Sequence, residues 1–205
     1  MREQPIKAAT EPEYALRADF YGFLAALLTR PPHKDILDRV AALKGDGSEL
    51  GQAVDVLARV AGATAPKAAE REFNRLFIGI GRGELVPYAS FYLTGFLHEK
   101  PLAVLRGDMA ALGIARAPDV YEPEDNIGSL CEMMAGMIRG DFGAPVPLRR
   151  QREFFNRHLR PWARHFFTDL EGAKHSVLYA PVGTLGRLFT EIETESYRMA
   201  GEDAA

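Results

Sequence analysis

The 205-residue chain has one cysteine, Cys131, so it forms no internal disulfide and supplies no thiolate cage for zinc. A lone thiol fits a reducing compartment better than a secreted scaffold. Lys and Arg number 25 against 28 Asp and Glu. Without a basic excess, neither a phosphate backbone nor an anionic membrane surface is an expected partner. Charged residues interrupt every apolar stretch well short of the roughly 20 residues of a membrane span. The opening Met1-Arg2-Glu3-Gln4-Pro5-Ile6-Lys7 lacks the apolar core of a secretory signal. A cytoplasmic protein without stable membrane association is expected. The five histidines include no pair spaced to place two metal ligands on one helix face. No Gly-x-Ser-x-Gly elbow or reactive cysteine context is present either. No catalytic group, metal or cofactor is therefore assigned.

What is there is helical periodicity. Leu16, Phe20, Phe23, Leu24, Leu27 and Leu28 recur at three or four residues between Pro12 and Thr29, and Pro31-Pro32 ends that pattern. Shorter repeats occupy 36–43 and 50–60, and Pro66 opens a segment carrying Phe73, Leu76 and Phe77. Tyr88 to Leu93 is strand-like by residue type, but its helical neighbours and Ser90 as a cap favour helix. Pro101 to Leu112 predicts a helix closed by Gly113. Ile127, Leu130, Met134, Met137 and Ile138 line another, with Asp125 as its N-cap or first-turn acid. Two aromatic faces separated by Pro161 come next, then Leu178, Val182, Leu185, Phe189 and Ile192, with Pro181 starting or kinking the last helix. Alternation of period two is not sustained. The pattern predicts one all-α domain over 1–205, an irregular bundle of roughly eight to ten helices, with a hinge at 114–124 between two helical halves.

Five features compete for function. Gly79-Ile80-Gly81-Arg82-Gly83 follows a helix and lacks the Lys-Ser/Thr ending of a phosphate loop, which favours a plain turn. His158, four residues before Trp162, reads as a core histidine, and His165 is read the same way. Cys131 reads as a buried thiol. Met133, Met134 and Met137 read as core, although a methionine-rich helix can also line a peptide groove. Glu122-Pro123-Glu124-Asp125-Asn126 gathers three carboxylates where a linker becomes a helix. Helix capping explains Asp125 better than Glu122, and an acidic mouth for a basic ligand is the rival.

Four blocks in order, Glu72-Phe73-Asn74-Arg75-Leu76-Phe77-Ile78-Gly79, Pro87-Tyr88-Ala89-Ser90-Phe91-Tyr92, Glu122 to Ile127 and Phe154 to Trp162, resemble the TorD-like family of cytoplasmic chaperones for molybdenum- or tungsten-containing oxidoreductases. The resemblance covers about Tyr14 to Met199. It implies a maturation chaperone, not an enzyme, that binds the twin-arginine signal peptide or another part of an apo-oxidoreductase until its cofactor is inserted. A client-binding face would draw on Glu122, Glu124, Asp125, Asn126, Tyr88, Ser90, Tyr92 and Met134. The family motif normally reads Glu-Pro-x-Asp-His, so Asn126 stands where a histidine is usual and keeps hydrogen bonding without a titrating charge. The Glu-Asp-Asn form and the Gly128 to Gly136 run look like the branch found with formate dehydrogenases. The resemblance also implies a monomer with some dimer formed by exchange of halves. A nucleotide- or pterin-binding protein, and a helical interaction module without leader specificity, are the alternatives.

Overall fold

The computed structural model describes residues 12–79, 82–118 and 120–202, with side chains to Ala200. The opening heptapeptide, Ile80 and Gly81 of the glycine loop, and Asp119 lie outside the described residues. Ten α-helices run through the rest: α1 Pro12–Leu28, α2 Lys34–Ala41, α3 Glu49–Ala63, α4 Pro66–Phe73, α5 Ala89–Thr94, α6 Lys100–Ala111, α7 Ile127–Arg139, α8 Leu148–His158, α9 Ala163–Gly172 and α10 Tyr179–Glu202. The all-α expectation is met, and β structure among the described residues is the single Tyr88–Asn126 bridge.

The helix signals act as the sequence suggests at most boundaries. Ser48 caps α3 by accepting from the Gly51 N–H at 3.0 Å, Pro66 and Pro101 lie in first turns, and Gly140 closes α7 in the left-handed region at φ 87°. Pro181 falls in the first turn of α10, where its missing N–H costs no helical bond. Asn74–Ile78 continues α4 as a π-helical turn closed by Gly79 N–H to Asn74 O at 2.7 Å. The Arg75 and Leu76 carbonyls then accept from the Glu84 and Leu85 N–H groups at 3.1 and 2.8 Å. The widened turn aims Phe77 and Ile78 at a cleft.

Packing revises two stripes. Leu16, expected on the core face of α1, is 69% exposed, whereas Ala18, Tyr21 and Ala25 are buried. Ile192 of α10 is likewise exposed, and Glu193 takes the interior position beside it. The cause is one polar contact between the two helices. Arg17 Nε and Nη2 donate to Glu193 at 2.7 and 2.8 Å, and Tyr21 Oη donates to the same carboxylate at 2.9 Å. A buried ion pair is tolerable only with its bonds completed, so it fixes how α1 and α10 meet.

α1 lies against α7 and α9 against α10. At Gly128 a Cβ would come within 2.7 Å of Thr29 Cγ2, so only glycine lets the end of α1 reach the start of α7 this closely. Trp162, Tyr179, Phe155, Phe166 and Phe167 fill the centre. A second ligature lies at the partly exposed start of α10, where Glu72 of α4 accepts from the Val177 and Tyr179 N–H groups at 2.7 and 2.9 Å.

Candidate functional site

The blocks Pro87–Ser90 and Glu122–Ile127 meet in space. Ala89 N–H donates to Asp125 O at 3.0 Å and Ile127 N–H to Pro87 O at 2.9 Å. These bonds set the start of α5 beside the start of α7. The expected N-cap of α7 shifts by one position: Asn126, not Asp125, caps it, accepting from Gly128 N–H at 2.8 Å. Asp125 is turned away to cap another helix. Its Oδ2 accepts from Ser90 N–H at 2.7 Å, in the first turn of α5, whose own N-cap, Tyr88, contributes no side-chain bond. Ser90 is therefore the capped residue and not the cap. Its Oγ and Asp125 Oδ1 are buried without a hydrogen-bond partner.

Glu124 is also committed to the protein. Its Oε2 accepts from Arg106 Nε and Nη2 at 3.0 and 2.8 Å, and Arg116 stands 3.9 Å from Oε1. Burial raises this carboxyl, but the Arg106 bonds and the two guanidinium charges outweigh it and hold Glu124 below the usual carboxylate range. Met134 is fully buried and packs in the core with Met133 and Met137, so this face of α7 offers no groove. Tyr92 is half-buried. Its hydroxyl donates to Asp169 at 2.8 Å and its ring lies 5.2 Å from that of Trp162.

Glu122 stands apart from these. It is exposed, and its carboxylate accepts the hydroxyl of Tyr88. Burial first, then this bond to Glu122, pushes the Tyr88 phenol upward, so it stays a protonated donor. Of the eight residues expected at a binding face, Glu122, Tyr88 and Tyr92 reach solvent, while Glu124, Asp125, Asn126, Ser90 and Met134 are buried.

Glu122 and Tyr88 line a cleft of about 600 Å³ between α1, the π-turn, the 114–126 segment and α7. Phe77, Ile78 and Val120 give it apolar wall, and Ile78 and Val120 are exposed there. Four charged residues that sequence reasoning passed over, Arg30, Glu132, Arg139 and Asp141, complete it. Glu132 lies on the α7 wall, where partial loss of solvent raises its carboxyl and the Arg30 charge opposes the rise. A signal for Glu132 was present: Ser129, Glu132 and Arg139 step along α7 at helical spacing as its polar stripe between apolar residues. Arg30 carried none, since the fold alone brings the end of α1 opposite α7.

The remaining candidates are structural. His158 is buried with Nε2 2.7 Å from Asp108 Oδ2, but His165 is exposed, against the expectation of a core histidine. Trp162 is 1% exposed, and its Nε1 donates to the His158 carbonyl at 2.7 Å. Burial pushes the Cys131 thiol up. Among the described residues no group of three or more His, Cys, Asp and Glu side chains could hold a metal ion, and no helix is long and apolar enough to cross a membrane.

Residues 44–168 match the family described as nitrate reductase delta subunit. The chaperone protein TorD from strains of Vibrio cholerae serotype O1 is 28% identical over 102 residues, 46% of this chain and 46% of the relative. The matched stretch spans about half the length of these curated relatives. A crystal structure of a candidate redox enzyme maturation protein from Archaeoglobus fulgidus superposes with a TM-score of 0.57 at 20% identity, covering 93% of this chain and 99% of that one. At that identity the likeness speaks for the fold.

Proposed function

Because this chain belongs to the nitrate reductase delta subunit family, whose match takes in more than half of its length, we propose that it is a cytoplasmic maturation chaperone, not an enzyme, for a molybdenum- or tungsten-containing oxidoreductase. Relatives named as TorD chaperones support this reading. We further propose that it holds the client's twin-arginine leader until the cofactor is loaded. The carrying observation is the Glu122 carboxylate, exposed and oriented by the Tyr88 hydroxyl at the edge of a partly apolar cleft that also holds Glu132.

A leader offers guanidinium groups followed by an apolar run. Glu122 supplies a carboxylate to pair with a guanidinium, and Phe77, Ile78 and Val120 supply apolar surface beside it. The neighbouring carboxylates serve elsewhere: Asp125 and Glu124 hold α5 and Arg106, which fixes the frame on which Glu122 is carried. A formate dehydrogenase as the client rests on the Glu-Asp-Asn form of the motif and the Gly128 to Gly136 run after it.

The test is calorimetry of the full chain and its Glu122→Gln variant with a synthetic twin-arginine peptide at low and moderate salt. Glu122 is exposed, so the variant should melt with the wild type yet bind about 1 to 3 kcal/mol more weakly, with a smaller salt dependence. Equal affinity at both salts would remove Glu122 from the site. Absence of saturable binding to the wild type would sink the leader reading as a whole.

A further inference from the structure

A second cleft, of about 690 Å³, lies on the other side of α1, between it and α2 and α3. Its floor is apolar, with Phe20, Phe23, Ile36 and Val40, and its rim carries Leu16 and Leu43, which are 69% and 40% exposed. The two clefts are not separate. Gly22, Ala26 and Arg139 line both, so they join across the two smallest side chains on that face of α1. A larger residue at Gly22 would raise a wall there: its Cβ would already lie 3.1 Å from Arg139 Nη2.

We propose that the two clefts form one continuous leader groove. The arginine pair of a peptide occupies the Glu122–Glu132 end, and the apolar run after it crosses Gly22 and lies between α1 and α2. This inference rests on the leader-binding reading and extends it to a second subsite and a direction.

The charges set the direction. Apart from Arg139, which both clefts share, the first holds Glu122, Glu132 and Asp141 against Arg30, whereas the second holds Arg39 and Lys44 against Asp19. A guanidinium pair is drawn to the first end and repelled from the second, so the reversed peptide is disfavoured at both. Arg139 closes the saddle by donating to Asp19 Oδ1 at 2.8 Å and to Ala18 O at 3.1 Å. Both side chains of that ion pair are well exposed, and exposed pairs contribute little, so a passing peptide can displace it. Leu16, turned to solvent by the way α1 meets α10, leaves an apolar side chain open on the rim of this groove.

Two fluorescein-labelled synthetic peptides test this by anisotropy with the full chain. One carries an arginine pair followed by an apolar run, the other the same pair followed by serine and glycine. The Leu16→Glu/Leu43→Glu double variant changes two exposed side chains of the rim. It should weaken the apolar-run peptide about tenfold or more and leave the serine-glycine peptide unchanged, while Glu122→Gln weakens both. If the double variant binds both peptides like wild type while Glu122→Gln still weakens them, leader binding stands and the apolar subsite is overturned. If neither peptide binds wild type, the reading and this extension fall together. A benzoylphenylalanine placed in the apolar run gives a second readout on the unaltered protein. Cross-links to α1 and α2 support the groove. Cross-links to the exposed Leu93 of α5, or to Phe96 and Leu97 on the α5–α6 connection, instead would overturn it.

Discussion

The Asp125 carboxylate accepts the Ser90 N–H at 2.7 Å, so an acid that precedes α7 in the chain serves as the N-terminal cap of α5. Asn126 caps α7 in its place. Neighbouring residues of one motif thus start two different helices, and the Pro87–Ser90 and Glu122–Ile127 blocks depend on each other for their conformation. Removing Asp125 strands the buried Ser90 N–H and deletes a favourable charge at a helix start. Asp125→Ala should cost about 1 to 3 kcal/mol, and Asn126→Ala about 1 kcal/mol. Urea melts of both variants, read beside Glu122→Gln, check this. A Glu122→Gln loss as large as that of Asp125→Ala would mean that Glu122 is part of the frame.

Trp162 should be a stability residue. It is buried against Tyr92 and Phe166, and its indole N–H donates to the His158 carbonyl. Trp162→Ala should lose about 3 to 5 kcal/mol through cavity formation. An unchanged melting temperature together with lost peptide binding would place Trp162 in the groove.

Cys131 should be silent to thiol reagents in the native state. It is 1% exposed, and burial raises its thiol above the ordinary range. Titration with an aromatic disulfide reagent at mildly alkaline pH should give no release of chromophore until denaturant is added, then one thiol per chain. Rapid native labelling would show that α7 opens locally.

Acid should weaken the fold through His158. Burial lowers its pKa from 6.5, with Asp108 opposing and the adjacent Arg157 adding to the fall. A folded value below the unfolded one means that the unfolded chain takes up the proton first. The stabilisation is complete above about pH 6.5 and is lost as pH falls toward the folded value. Asp108 is also held low in the folded state: burial raises it, but its bonds to His158 and Arg157 prevail, so a further loss begins below about pH 4. Melting temperatures from pH 7.5 to 5 should decline, and His158→Gln should flatten that decline. An unchanged slope in the variant would assign the acid effect elsewhere.

The 114–124 segment is proposed as a hinge for exchange of halves between two chains. It joins α6 to α7, and α6 is tied to the end of this segment and to α8 by exposed or partly exposed ion pairs, Arg106–Glu124 and Arg157–Asp108. Light scattering over a concentration series should show monomer with a dimer fraction. A single monomer at every concentration would leave the hinge without support.

Helix positions were legible in the amino-acid sequence because an apolar residue every three or four positions, a proline in a first turn and a glycine after a last one act over a few neighbouring residues. That is why α7, with Ile127, Leu130, Met134, Met137 and Ile138 all buried, was readable. The family resemblance was carried the same way, by short blocks in order. Leu16 and Ile192 show where local periodicity stops: the Arg17–Glu193 pair between α1 and α10 sets how those helices meet and leaves both apolar side chains in solvent. The acidic motif divides likewise. Sequence alone gathered Glu122, Glu124 and Asp125, but only the tertiary structure committed Asp125 to α5 and Glu124 to Arg106, leaving Glu122 exposed at the cleft. Which charge remains free depends on partners 18 to 35 positions away in the chain, brought within hydrogen-bond distance by helix packing.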